Sequence, residues 1–280
     1  MGKFDGMLLV SDFDNTLVYT EHILGGKRAA PMMSERNRQA LEYFMAEGGR
    51  FSVATGRSLA AYRKASANVP GNAPSVVNNG GLLYDFQRDE EVLAMYLPED
   101  SWQDAAHLAE KFTDLTIETC DRKERVQVLR PIAWNDNHAQ LSGKPYEVID
   151  HIGPEVFSDI LFKVLLVGDP AMLLRLQGYV QELGWGERYE FIFSADHLLE
   201  MTPKGANKGA MVGQLKKLCG CEKLFCAGDH LNDLPMLSVA DRAFCPANSK
   251  PEVLASGATV VCHCAEGAMA DIVAILEQEG

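Results

Sequence analysis

Long apolar runs are missing from this 280-residue chain, and so is any excess of positive charge. No stretch approaches the roughly 20 apolar residues that a membrane-spanning helix needs. The segment from Met1 to Gly6 has no long apolar signal core, and Asp5 and Asp12 break up the apolar residues around it. The expected location is therefore cytoplasmic. Lysine and arginine together number 26 against 39 aspartates and glutamates, a formal net charge of −13 at pH 7. Phosphate backbones and anionic lipids select basic faces, so no nucleic acid and no membrane is expected as a partner. A small phosphorylated metabolite stays open, because a metal ion and a few local cations reverse the field inside a site. Cysteines are odd in number (Cys120, Cys219, Cys221, Cys226, Cys245, Cys262 and Cys264), which fits a reducing compartment better than a disulfide framework. There is no internal repeat and no low-complexity tract. Oligomeric state is not legible.

What is present is organised around Leu8-Leu9-Val10-Ser11-Asp12-Phe13-Asp14-Asn15-Thr16. Met7 to Val10 read as a short buried strand. Open parallel sheets bind ligands beyond the carboxyl ends of their strands, so Asp12 and Asp14 fall where a site belongs. Two adjacent carboxylates repel unless a cation or a shared proton relieves them.

Strand–helix–strand–helix–strand order continues through Phe51–Ala54 and Ser75–Val77 and resumes after Pro203. Between them lies a different pattern. A hairpin is expected over Leu82–Tyr84 and Val92–Tyr96. An α+β module follows, with a helix over Asp100–Phe112 and another over Ala171–Leu183. Pro131 to Pro154 reads as a long loop with short elements, centred on Trp134-Asn135-Asp136-Asn137-His138. The fold class is thus α/β: a parallel-sheet core split in sequence over 1–97 and 196–280, with an α+β module over 98–195 inserted between its halves.

Four polar clusters follow strands or open helices of that core: Asp12/Asp14, Thr55, Lys208 and Asp229/Asn232/Asp233. Together they suit phosphoryl transfer through an aspartyl-phosphate. A carboxylate attacks phosphorus only where cations offset its repulsion from the phosphate. Mg²⁺ takes oxygen ligands, which carboxylates supply. The phosphoryl oxygens need donors such as a hydroxyl (Thr55) and an ammonium (Lys208). The leaving alkoxide needs a proton, and Asp14 is placed to give it.

Asp12-Phe13-Asp14-Asn15-Thr16, Thr55-Gly56-Arg57, Lys208 and Gly228-Asp229-His230-Leu231-Asn232-Asp233 resemble the four motifs of the haloacid dehalogenase superfamily. Asn79-Gly80-Gly81 and the intervening module resemble its Cof-type branch, subclass IIB. The resemblance implies a Rossmann-like core, with the inserted α+β module as a cap that selects the substrate, and a Mg²⁺-dependent phosphatase activity. It implies Asp12 as nucleophile and metal ligand, and Asp14 as general acid/base that also ligates through its backbone carbonyl. Thr55, Gly56, Lys208, Asn232 and Asn79 are implied as phosphate or substrate binders. Asp229 and Asp233 complete the implied metal set. Asn15 and Gly81 depart from the commoner glycine and alanine.

Rival readings are a sugar phosphomutase of the same superfamily, a phosphoacceptor switch without turnover, and a non-catalytic binding protein. The C-x-C spacing of Cys262 and Cys264 lacks paired zinc hooks. His138, beside Trp134, reads as a solvated loop histidine, with a substrate contact from the cap as the alternative.

Overall fold

The computed structural model describes residues 2–20, 33–123, 125–157 and 159–278. The first stretch of elements is β1 (Met7–Ser11), α1 (Glu35–Ala46), β2 (Arg50–Val53), α2 (Leu59–Ala65), β3 (Ser75–Val77), β4 (Leu82–Asp85) and β5 (Glu90–Ala94). Next come α3 (Ser101–Lys111), β6 (Thr116–Asp121), β7 (Val126–Leu129), α4 (Ala133–Ser142), β8 (Tyr146–Ile149), β9 (Leu161–Val167), α5 (Pro170–Glu182), β10 (Tyr189–Ala195) and β11 (Leu198–Pro203). The last are α6 (Lys208–Cys219), β12 (Lys223–Ala227), α7 (Leu234–Val239), β13 (Arg242–Pro246), α8 (Pro251–Leu254), β14 (Thr259–Val261) and α9 (Ala268–Glu277). Among the described residues no helix is long and apolar enough to cross a membrane.

The chain divides into two compact units, Met1–Leu93 with Lys208–Gly280, and Ala94–Asn207. The first holds a five-stranded sheet in the order β14-β13-β12-β1-β2, parallel throughout. Leu8, Leu9 and Val10 of β1 are wholly buried, as a strand covered on both faces requires. The flanking helices start where the sequence puts their caps. Ser34 Oγ accepts the Asn37 N–H, and Ser58 Oγ accepts the Ala61 N–H. A single parallel bridge, Ala54 to Val76, leads to the small sheet β3-β4-β5.

The second unit is a six-stranded sheet, β10-β11-β9-β6-β7-β8, antiparallel except for the β7–β8 pair. Ile117, Val164, Leu166, Leu199 and Met201 from its strands form one apolar cluster with Leu108 of α3 and Leu173 and Leu176 of α5.

Two expectations need correcting here. Pro131 to Pro154 is less a loop than expected: beyond short elements it holds the 10-residue α4 and the strand β8, the helix and return strand of a parallel crossover from β7. The helix escapes a periodicity reading because Asn135, Asp136, Asn137, His138 and Gln140 leave it little apolar stripe. Its ends are nevertheless encoded. Asn135 Oδ1 accepts the Ile132 N–H at 2.9 Å, and Gly143 closes the helix at φ +74°. The second correction concerns residues 196–207. The chain after 195 does not return directly to the core, because β11 pairs with both β9 and β10.

Candidate active site

Hydrogen bonds between neighbouring strands bring three strand tips to one edge of the parallel sheet. Asp12 N–H donates to Ala227 O at 2.8 Å, and Ala54 N–H donates to Ser11 O at 2.9 Å. Asp12 therefore stands beside the residues that follow β2 and β12. The side chain of Lys208, at the start of α6, is only 1% exposed. Its Nζ lies 2.6 Å from Asp12 Oδ1 and 2.6 Å from Asp233 Oδ1. The other oxygen of Asp233 accepts the N–H groups of Asp229 (2.8 Å) and His230 (2.9 Å). That turn depends on Gly228, whose absent Cβ would lie 2.4 Å from Asp233 Cβ. Thr16 Oγ1 donates to Asp229 Oδ1 at 2.8 Å.

One carboxylate oxygen each from Asp12, Asp229 and Asp233 falls within 4.8 Å of the others. These groups lie in a charge environment that disfavours their ionised forms. Burial raises the Asp12 carboxyl well above the usual range; Lys208 opposes the shift, while Asp233, Asp229 and Asp14 add to it. Burial, with Asp233 next, pushes the Asp229 carboxyl up to about 7. Burial alone would lower Lys208, but Asp12 and Asp233 outweigh it and hold the ammonium above its ordinary range. Buried hard oxygens with uncompensated negative charge fit a divalent cation such as Mg²⁺.

The Asp14 carboxylate is not part of that trio. Arg57 holds it from both sides, Nε to Oδ2 at 2.8 Å and Nη2 to Oδ1 at 2.7 Å, with the guanidinium 5.1 Å from the Phe13 ring centroid. Thr55 Oγ1 accepts the Arg57 N–H at 3.1 Å.

Thr55, Gly56, Asn79 and Asn232 form a second group. Asn78, Asn79 and Gly80 all take left-handed φ values (+52°, +53°, +99°), a run that asparagine and glycine tolerate best. That turn seats Asn79 against the Thr55 loop: its N–H donates to Thr55 O at 3.1 Å. A Cβ on Gly56 would lie 3.1 Å from the Asn79 amide atoms. Asn232 Nδ2 donates to Asn79 Oδ1 at 2.9 Å. Asn79 Nδ2 and Asn232 Oδ1 are buried with no partner among the described residues. Such orphans are costly, and a polar ligand would relieve them.

Three participants have no role in the sequence reading. Arg57 and Thr16 lie inside the quoted motifs, but their contacts, with Asp14 and Asp229, cross 43 and 213 positions of chain. Asn248 bridges Asn15 O (2.8 Å) and the Cys264 N–H (2.9 Å), and no local signal announces it. In the second unit, His138 lies on α4 rather than in a loop, with Nδ1 2.8 Å from Glu118 Oε1.

A family model described as haloacid dehalogenase-like hydrolase matches residues 9–273. An HMP-PP phosphatase of Escherichia coli O81 (strain ED1a) is 30% identical over 264 residues, covering 92% of this chain and 90% of its own. A haloacid dehalogenase-like hydrolase from Bacteroides thetaiotaomicron superposes with a TM-score of 0.76 at 21% identity, covering 98% of this chain and 99% of its own. A subclass IIB sugar phosphatase superposes with a TM-score of 0.78 at 17% identity, covering 96% and 98%. The two structural likenesses show a common fold.

Proposed function

The chain belongs to the haloacid dehalogenase-like hydrolases, and from that membership we propose a Mg²⁺-dependent phosphatase that hydrolyses small phosphomonoesters through an aspartyl-phosphate on Asp12. One observation carries the reading. Asp12 is buried with Asp229 and Asp233, and Lys208, bonded to Asp12 and Asp233, is one ammonium among three acids.

In the first step an Asp12 carboxylate oxygen attacks phosphorus, and the ester P–O bond breaks. Asp14 gives its proton to the departing alkoxide. In the second step Asp14 takes a proton from water, the water oxygen attacks phosphorus, and the bond to Asp12 breaks, releasing phosphate. Lys208 offsets the charge that gathers on the phosphoryl oxygens, while Thr55 Oγ1, the Gly56 backbone and the Asn232 amide hold them. Asn79 sets the position of Asn232. Asp12, Asp229 and the Asp14 carbonyl would hold Mg²⁺, with Asp233 anchoring the turn that carries Asp229. When bound, the ion supplies the positive charge that lets a carboxylate approach a phosphate.

The substrates named for the relatives, HMP-PP and sugar phosphates, define the first panel to try with Mg²⁺, scored by phosphate release. Asp12→Asn and chelation with EDTA should each lower turnover of p-nitrophenyl phosphate by about 10³-fold or more. Turnover that survives both would sink the mechanism.

A further inference from the structure

The loop that follows β13 touches both of the turns that carry the acids of the site. In the parallel sheet β13 lies beside β12, and β1 lies on the other side of β12. A contact from this loop to the turn after β1 therefore reaches past the tip of β12. The loop is itself a tight turn: Ser249 N–H and Ser249 Oγ both donate to Pro246 O, at 3.0 and 2.6 Å. From that turn two bonds run outward. Lys250 N–H donates to Asp229 O at 2.9 Å. Asn248 Nδ2 donates to Asn15 O at 2.8 Å, while Asn248 Oδ1 accepts the Cys264 N–H at 2.9 Å.

The turn after β1 is shaped by its own bonds. Asn15 N–H donates to Val18 O at 2.7 Å, and Val18 N–H donates to Phe13 O at 2.9 Å. Asn15 takes a left-handed φ of +58°, and its Oδ1 accepts the Thr20 N–H and hydroxyl at 3.0 and 3.2 Å. Across a trans peptide the C=O and N–H point in opposite directions, so the Asn15 N–H bond to Val18 aims the Asp14 carbonyl out of the turn. The remaining backbone group of Asn15, its carbonyl, is the one that Asn248 holds. Thr16 links the two acid-bearing turns through side chains, by its bond to the Asp229 carboxylate. The Pro246–Lys250 loop grips the backbone of each, at Asn15 O and Asp229 O. Mg²⁺ demands near-ideal octahedral geometry, so the spacing of backbones that carry its ligands matters.

We propose that the Pro246–Lys250 loop braces the metal site, with Asn248 as a positioning residue that holds the Asp14 turn at a fixed distance from the Asp229 turn and so sets the affinity for Mg²⁺. The proposal rests on the phosphatase reading above, in which the Asp14 carbonyl and Asp229 hold the ion. Asn248 acts through the Asn15 carbonyl and not on the ion itself.

The test is calorimetric titration of the full-length, metal-free chain with MgCl₂ near pH 8, with thermal melts in EDTA on the same samples. Asn248→Ala should weaken Mg²⁺ binding by about 10-fold, the usual size of the loss when a group supporting a metal ligand is removed. Asn248→Asp keeps the acceptor for the Cys264 N–H and loses the donor to Asn15 O. Its added negative charge by itself favours a cation, so weaker binding in this variant also reports the lost donor, and it carries the test if Asn248→Ala does not fold. An unchanged Kd for Mg²⁺ in a folded variant, whatever its melt in EDTA, would overturn the proposal and leave Asn248 a residue of stability alone. If the unmutated protein takes up no Mg²⁺, the metal-dependent phosphatase reading fails first, before any variant is made.

Discussion

Lys208 is the residue on which the site's charge balance turns. It is a fully buried ammonium between two carboxylates, Asp12 and Asp233. Removing one partner of a buried ion pair leaves an uncompensated charge and costs about 3–5 kcal/mol. Lys208→Met should therefore destabilise the EDTA-treated protein by that order in urea unfolding. Mg²⁺ binding among the same acids replaces part of the missing positive charge, so the loss should shrink when Mg²⁺ is added. An equal loss with and without the ion would show that it does not share those carboxylates. Lys208 was legible because its position relative to Asp12, Thr55 and Asp229 is a motif. Arg57 was equally visible as a letter, yet its bidentate grip on Asp14 was not. Nothing local in a chain shows which of 26 cations will meet a given acid once two distant strands lie side by side.

At the scale of elements, the edge that carries the candidate site depends on how closely α6 approaches α7. A Cβ on Gly209 would lie 2.3 Å from Pro235 O and 2.5 Å from Pro235 C, and backbone cannot yield as a side chain does. Gly209→Ala should push the first turn of α6 away from α7, destabilise by about 1–3 kcal/mol, and displace the adjacent Lys208, lowering kcat. Gly213, one turn on in the same helix, has nothing within 4 Å of its missing Cβ. Gly213→Ala should be neutral or stabilising by up to about 1 kcal/mol, with kcat unaffected. If both substitutions behave alike in unfolding and kinetics, the close approach is not what fixes Lys208. The helix α6 was legible because buried apolar residues recur with its period, and β12 because it is an unbroken apolar run. The helix α4 was not, because its inward contacts are Asn135 and His138 on a glutamate rather than a leucine stripe on a core. Polar packing has no periodic signature. The residues that distinguish this second unit therefore lay in the stretch that read worst.

Across the whole molecule, buried acids couple stability to both pH and metal. In an unfolded chain Asp229 titrates near 3.9, whereas in the folded protein burial and Asp233 push it up to about 7, with Thr16 and Lys208 acting in the opposite direction. Between those values the folded state binds more protons than the unfolded one. Stability of the metal-free protein therefore falls as pH rises through this window, and the penalty is complete above about pH 7. Asp12 is shifted in the same direction, with Asp14 and Asp233 facing it as well. In the proposed function Mg²⁺ binds the ionised carboxylates, so protons compete with it within and below the window and not above it. At a Mg²⁺ concentration 100-fold over its Kd the ion adds about 2.7 kcal/mol. For a chain of this size that corresponds to a Tm gain of about 5 °C. Thermal melts in EDTA and in Mg²⁺ should show that gain near pH 8, and only a small fraction of it near pH 5.5. Asp229→Asn removes both the titrating group and a proposed ligand. It should flatten the pH dependence of the metal-free melt and abolish most of the Mg²⁺ increment at every pH. A Mg²⁺ gain of the same size at both pH values in the unmutated protein would mean that the ion binds elsewhere. The acids at the end of β1 and β12 would then need some other explanation for their burial.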